Sequence, residues 1–280
     1  MMEISLGHTP DADDAFMFYG FASGAIKSDD FTIRHVVQDI ETLNRRAQGH
    51  ELDVTAVSAH AYAYLQDYVI LRGGGSFGMG YGPIVIARKD RNIRDLKDAR
   101  TIAIPGRMTS ANLLLKLAVA VSGSFLEKEM SFEAIPKAVL SGEVDAGLVI
   151  HEAQITYDRS KLAAVLELGP WWSSQTSGLP VPLGINVASA RKMTRVQLKE
   201  FSGLFVKSIE YGLNNIDAAI DYAMKYSRGQ PRETITKFVK MYVNDITRDM
   251  GPSGKKAIEK MFAMARERRL IDADVKIDVV

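Results

Sequence analysis

The sequence predicts an α/β protein folded as two lobes. From Glu3 to Val187, short apolar runs of strand length alternate with helical patterns. That is the arrangement of a parallel-rich sheet covered by helices on both faces. A chain of 280 residues is long for one hydrophobic core and suits two modest ones. Two stretches, Gly82-Pro-Ile-Val-Ile-Ala87 and Pro180-Val-Pro-Leu-Gly-Ile-Asn-Val187, each set proline before an extended apolar run, as a pair of crossings between lobes would. The expected division is a discontinuous large lobe, residues 1–88 and 189–280, with a smaller lobe, 89–188, inserted in it. Strands near 83–88 and 182–188 are the expected hinges.

Glu3 to Gly7 reads as the first strand, and Thr9-Pro10 with Asp11, Asp13 and Asp14 leads into a helix from Ala15 to Phe21. Phe31 to Val37 is a second strand and Ile40 to Gln48 a helix. Val54 to Val57 is a third strand, followed by Ser58-Ala-His60 and a helix through Leu65. Val69 to Leu71 feeds the glycine-rich loop Gly73 to Gly82. Beyond Lys89, Asp95 to Arg100 reads as a polar helix, and Thr101 to Ile104 as a strand closed by Pro105-Gly106. A helix from Ser110 to Val121 ends at a polar break, 122–124. Ile135 to Ser141 is helical with Gly142 as its cap, because glycine accepts the left-handed conformation there. Ala146 to Ile150 is a strand, and Thr194 to Val280 is mostly helical, amphipathic and expected to pack on the first lobe. No repeat and no low-complexity tract interrupts this order.

Composition excludes several classes of function. Hydrophobic residues at 46% and charged ones at 25% describe an ordinary globular protein. A net charge of +1 offers nothing to nucleic acid or to an anionic membrane. The absence of cysteine removes disulfides, thiolate metal sites and a cysteine nucleophile. No signal peptide and no apolar run of membrane-spanning length is visible, so a cytoplasmic location is expected. No oligomeric partner can be read from the sequence.

The chemistry concentrates at strand ends. Asp145-Ala-Gly-Leu-Val-Ile-His151-Glu152 is an apolar run that stops at a histidine and a glutamate. Strand ends in open α/β sheets are where ligands are met, and histidine exchanges a proton near neutrality; a structural histidine at a strand end is the alternative. Thr109 and Ser110 stand where a strand ending in Pro105-Gly106 meets a helix. Free backbone N–H groups and the helix dipole make that an anion site, and the hydroxyls there can also bind a carboxylate, although plain N-capping accounts for the same residues. Ser58 ends a strand without a Gly-x-Ser-x-Gly elbow, so it reads as a hydrogen-bond donor to ligand rather than a nucleophile. His60 reads as structural or peripheral.

The loop Gly73-Gly-Gly-Ser-Phe-Gly-Met-Gly-Tyr-Gly82 lacks a following Gly-Lys-Ser/Thr and matches no dinucleotide fingerprint. Its glycines let backbone approach a bulky ligand or simply make a turn, with Ser76 and Tyr81 as secondary contacts. Asp11, Asp13 and Asp14 fail the spacing of a calcium loop and read as helix N-terminal charge. No metal is expected. Trp171-Trp172 either walls a cleft or packs in the core.

The layout resembles the type II periplasmic-binding-protein fold, whose ligands lie between lobes. Five segments make the resemblance more specific: Leu6-Gly-His-Thr-Pro-Asp-Ala-Asp-Asp-Ala-Phe-Met-Phe-Tyr19, Asp53-Val-Thr-Ala-Val-Ser58, Tyr81-Gly-Pro83, Pro105-Gly-Arg-Met-Thr-Ser110 and Gly147-Leu-Val-Ile-His-Glu152. In this order and spacing they resemble the 1,4-dihydroxy-6-naphthoate synthases, lyases of the futalosine route to menaquinone. The resemblance implies an enzyme that breaks a carbon–carbon bond of cyclic dehypoxanthine futalosine without metal or organic cofactor. Its small-molecule substrate carries an aromatic carboxylate. His151 is then the expected general base and Glu152 its partner or a substrate contact. The family's first loop usually reads Ser-Pro-Cys/Asp-Pro-Asn/Asp-Asp. Here Thr9 stands for the serine and keeps a hydroxyl for substrate, Ala12 for the second proline and Asp13 for the common asparagine. The sister chorismate dehydratases share the fold but typically lack the histidine, and solute-binding proteins share it without catalysis.

Overall fold

The computed structural model describes residues 1–91, 93, 95–119, 125–272 and 274–280. Its strands fall into two sheets. The first contains β1 (Met2–His8), β2 (Phe31–Val37), β3 (Val54–Ser58), β4 (Tyr68–Ile70) and β5 (Ser76–Gly78). The second contains β6 (Ile84–Arg88), β7 (Thr101–Ile104), β8 (Leu126–Glu129), β9 (Ala146–Val149) and β10 (Leu162–Glu167), and β11 (Val181–Ser189) returns to the first. The orders are β2-β1-β3-β11-β4, with β5 also on β11, and β10-β6-β9-β7-β8. An α/β protein with two sheets is what the sequence predicts.

Two expectations need correction. Each sheet is mixed: β2-β1-β3 and β8-β7-β9 are parallel, while β11 and β6 run antiparallel to their neighbours. Alternating strands and helices suggest parallel neighbours, but an apolar strand pairs in either direction. The stretches expected as hinges are themselves sheet strands, 84–88 wholly in the second sheet and 181–189 wholly in the first. The passages between sheets therefore lie before them, between Gly78 and Ile84 and between Glu167 and Val181.

The helices are α1 (Ala12–Met17), α2 (Tyr19–Ala22), α3 (Ile40–Gln48), α4 (Ser110–Ala118), α5 (Ile135–Ser141) and α6 (Ala153–Thr156). There follow α7 (Leu168–Thr176), α8 (Arg195–Asn214), α9 (Ile216–Ala223), α10 (Arg232–Tyr242), α11 (Asp245–Arg248) and α12 (Gly251–Glu267). The helix expected over Ala15–Phe21 is two, broken at Phe18. Those expected at Asp95–Arg100 and before Leu65 shrink to single 3-10 turns, Leu96–Asp98 and Ala61–Tyr64. The end of the helix expected to reach Val121, and its polar break, lie outside the described residues.

Strand periodicity sorts the core. Along β6 and β7, Val85, Ala87, Ile102 and Ile104 join the cluster that contains α4 and Trp172. Their alternates Ile86 and Ala103 join α5 on the opposite face, as a period of two requires. At Gly147 an added Cβ would stand 2.4 Å from Ile135, so α5 lies directly on β9 only because that position is glycine. Over the first sheet, Ile4 and Leu6 pack with Phe16 of α1, Phe18 at the break after it, Phe201 and Phe205 of α8, and Phe238 of α10. The C-terminal segment does pack back on this sheet: Val280 N–H donates to Ile70 (2.9 Å) and Ile70 N–H to Asp278 (2.8 Å). Trp172 is fully buried, its indole N–H on the Pro180 carbonyl at 3.0 Å, which decides for core over cleft wall. Among the described residues no helix is long and apolar enough to cross a membrane.

Candidate active site

Strand ends from both sheets meet at one cleft, with about 700 Å³ of empty space including its mouth. Thr9, Ser58, Ser76, Thr109, Ser110 and His151 all line it. They come from the ends of β1, β3 and β9, the start of α4, and β5. His151 follows β9 with φ of +53°, a left-handed conformation that costs roughly 1–3 kcal/mol outside glycine. It packs on Phe132 with ring centroids 4.7 Å apart.

Asp11 is the partner of His151. Its Oδ2 lies 3.4 Å from His151 Nδ1, which favours the proton on Nδ1 and leaves Nε2 as the basic nitrogen. Glu152, the partner expected from the sequence, is buried behind the cleft wall, where Arg228 Nη1 lies 3.6 Å from it. Arg228 also reaches Asp11 Oδ1 at 2.7 Å and Glu133 at 2.8 Å, and lies 4.8 Å over the Phe132 ring. One guanidinium therefore ties the loop after β1 to the segment carrying the histidine. Burial pushes the Asp11 carboxyl up, but His151 and Arg228 outweigh it and hold the group below its ordinary value. Glu152 is raised, by burial first and by Asp11, against the pull of His151 and Arg228.

The other two acids of the first loop stand in the first turn of α1, as expected of helix N-terminal charge, and they also line the cleft. Asp11 stands at the cap of α1 yet makes no side-chain capping bond. Asp14 Oδ2 accepts from Thr9 N–H (2.7 Å) and Thr9 Oγ1 (2.8 Å). Burial nonetheless raises its carboxyl to about 6, Asp11 adding to the effect. Asp13 is raised well above the usual carboxylate range by burial, then by Asp14, Asp11 and Glu152. No group of His, Asp and Glu fit to hold a metal occurs among the described residues.

At the α4 end the hydroxyls are already engaged. Thr109 Oγ1 donates to the Gly106 carbonyl (2.8 Å) and accepts from Asn112 N–H (3.2 Å). Ser110 Oγ donates to the Leu183 carbonyl (2.5 Å) and accepts from His60 N–H (3.2 Å). Neither has a proton left for a ligand, which corrects the expectation that these hydroxyls hold a carboxylate. The N–H groups of Ser110 and Ala111 have no acceptor among the described residues, and both residues line the cleft. Ser58 Oγ accepts from Asn44 Nδ2 (3.1 Å) and keeps its own proton for donation. Arg107 is exposed and 3.8 Å from Glu129, off the cleft.

Tyr81, expected as a contact, does not line the cleft. Its hydroxyl donates to the Met241 carbonyl, and its ring packs edge-on against Tyr242 at 5.4 Å. His60 is structural, its ring on the Thr109 carbonyl. The sequence reading missed Asp11, Asp13, Asp14, Asn186 and Arg228. Asp11 to Asp14 follow a strand end as His151 does, so the same rule could have found them. Asn186, a lone amide in an apolar strand, was a second signal; Arg228, in a polar turn, offered none.

A two-sheet α/β molecule whose strand ends converge on such a cleft has the periplasmic-binding-protein fold. The chain aligns along 99% of its length with the aliphatic sulphonate-binding protein of Escherichia coli, 96% of that chain, at TM-score 0.67 and 12% identity. The family model described as menaquinone biosynthesis matches residues 4–267, and the chain belongs to that family of biosynthetic enzymes. It is 37% identical over 271 residues to a 1,4-dihydroxy-6-naphtoate synthase of Thermus thermophilus, covering 96% of each. A synthase of the same name from Streptomyces coelicolor is 32% identical over 275 residues, 96% of this chain and 95% of that one. A crystal structure of a protein from Archaeoglobus fulgidus superposes at TM-score 0.89 with 50% identity, covering 96% of this chain and 98% of that one.

Proposed function

We propose that this chain cleaves cyclic dehypoxanthine futalosine to 1,4-dihydroxy-6-naphthoate, with His151 as general base. The observation that carries the reading is the Asp11–His151 pair at 3.4 Å, with His151 in the wall of an interlobe cleft and Asp11 buried beside it. A pure solute-binding protein has no need of a base oriented by a buried carboxylate. His151 takes the proton of a sugar-derived hydroxyl, and the O–H electrons form a carbonyl as the neighbouring carbon–carbon bond breaks. The electrons of that bond move into the ring system, which becomes aromatic and takes up the proton. Asp11 holds the ring and stabilises the imidazolium formed in between. Closure of the lobes excludes water during the step. The substrate carboxylate lies at the start of α4, where two free N–H groups and the helix dipole favour an anion.

Titration calorimetry tests the reading with the product as ligand. The protein is expected to bind 1,4-dihydroxy-6-naphthoate, and 1,4-dihydroxynaphthalene about tenfold or more weakly, since a charge-assisted hydrogen bond contributes roughly 1.5–3 kcal/mol. Thr109→Val is expected to change naphthoate affinity less than about threefold while costing on the order of 1 kcal/mol of stability through the lost cap. No binding, or equal binding of both compounds, contradicts the reading.

A further inference from the structure

The cleft has more polar equipment than a base and a carboxylate site use. Asp13 is 6% exposed and Asn186 1% exposed, and both line the cleft beside Gly74 and Ser76. Oδ1 of each has no hydrogen-bond partner. Asn186 Nδ2 donates to the Gly74 carbonyl at 2.8 Å, which fixes the amide with its oxygen unclaimed. An added Cβ at Gly74 would stand 2.7 Å from Asn186 Nδ2 and 2.2 Å from Phe205, so this close approach of loop and amide depends on glycine. Ser76 Oγ stands 3.5 Å from Asp13 Oδ2 and links the group from the other side.

Buried acceptors without donors are a standing cost in a folded protein, and they persist where a ligand supplies the missing groups. The donors required here belong to hydroxyls. A second carboxylate would bring only acceptors and negative charge beside Asp11, Asp13 and Asp14. We propose that Asp13, Ser76 and Asn186 form a second recognition end of the cleft, which binds the hydroxyl groups of the substrate's sugar-derived portion. This rests on the function proposed above and deepens it. The α4 end offers N–H donors and this end offers acceptors, so a ligand with an acid at one end and hydroxyls at the other enters in one orientation. Burial first, then the neighbouring acids, raise the Asp13 carboxyl well above its ordinary value, which favours the neutral form, and a neutral carboxyl both donates to and accepts from a hydroxyl.

Two ligands separate the ends: cyclic dehypoxanthine futalosine, which carries the hydroxyls, and 1,4-dihydroxy-6-naphthoate, which lacks the sugar. Affinities are measured by calorimetry, the cyclic compound on proteins that also carry His151→Asn so that it is not turned over. Asp13→Ala is expected to weaken the cyclic compound at least tenfold and the naphthoate less than twofold. Asp13→Asn, a neutral group that still donates and accepts, is expected to stay within fivefold for both. Ser76→Ala, at a half-buried wall position that does not threaten folding, is expected to weaken only the cyclic compound, about threefold or more. If the parent protein binds both ligands and Asp13→Ala and Ser76→Ala change both affinities alike or neither, the second recognition end is overturned while the proposed function stands. If the parent protein binds neither ligand, the function fails and this inference with it.

Discussion

Replacing His151 with asparagine is expected to lower turnover by about 10²–10⁴, the usual contribution of a positioned general base. Asparagine is the informative substitution because position 151 sits at φ +53°, and asparagine tolerates the left-handed region better than alanine. The variant should melt close to the parent, since the side chain is partly exposed and contributes little to the core. Affinity for the naphthoate should stay within a few-fold, because the α4 N–H groups proposed to hold the carboxylate are untouched. Steady-state kinetics on a variant with unchanged melting checks this. Retained turnover would assign the base elsewhere.

The second large effect is on stability. Arg228→Met leaves Asp11, Glu133 and Glu152 without the cation that reaches all three. Removing one partner from a buried ion pair typically costs about 3–5 kcal/mol. Asp11 is 2% exposed as a side chain, so solvent cannot compensate it. The pH dependence follows from the direction of the Asp11 shift. Its carboxyl is held below its ordinary value of 3.8, so it adds stability above that pH and loses it as the pH falls through the depressed value. Without Arg228 most of that contribution is gone. The gap between parent and variant should therefore be widest near neutrality and shrink below about pH 4. Denaturant melts across that range measure it, and a gap independent of pH would mean that Arg228 acts by packing alone.

Much of the fold was legible because its core strands are buried on both faces. Such strands read as continuous apolar runs, and Thr101–Ile104 has the expected bounds; so do the more exposed edge strand Phe31–Val37, through its alternating apolar residues, and the helices at Ile40 and Ile135. The strand Leu126–Glu129, Leu-Glu-Lys-Glu, was not legible: it is a largely exposed sheet edge without apolar alternation. The direction of β6 and β11 was not legible either, because an apolar run carries no sign for parallel or antiparallel pairing.

The site divides the same way. His151 and Ser58 stood out as polar residues ending apolar strands, and both reach the cleft. The partner of His151 is 140 residues away at Asp11, and the ligand of Asp11 is in the turn at Arg228; no local pattern encodes such pairs. The Thr109 and Ser110 hydroxyls were assigned to a ligand because a sequence displays donors without displaying the carbonyls of Gly106 and Leu183 that already take them.

The central claim is carbon–carbon cleavage by a base in this cleft, and a direct turnover assay tests it. Purified protein is incubated in EDTA with cyclic dehypoxanthine futalosine, beside an equal sample of the His151→Asn variant, and products are followed by mass spectrometry. The account predicts release of 1,4-dihydroxy-6-naphthoate by the parent protein and a loss of at least about 10² in rate in the variant. An intact substrate with the parent protein, or equal rates in the two samples, would contradict it.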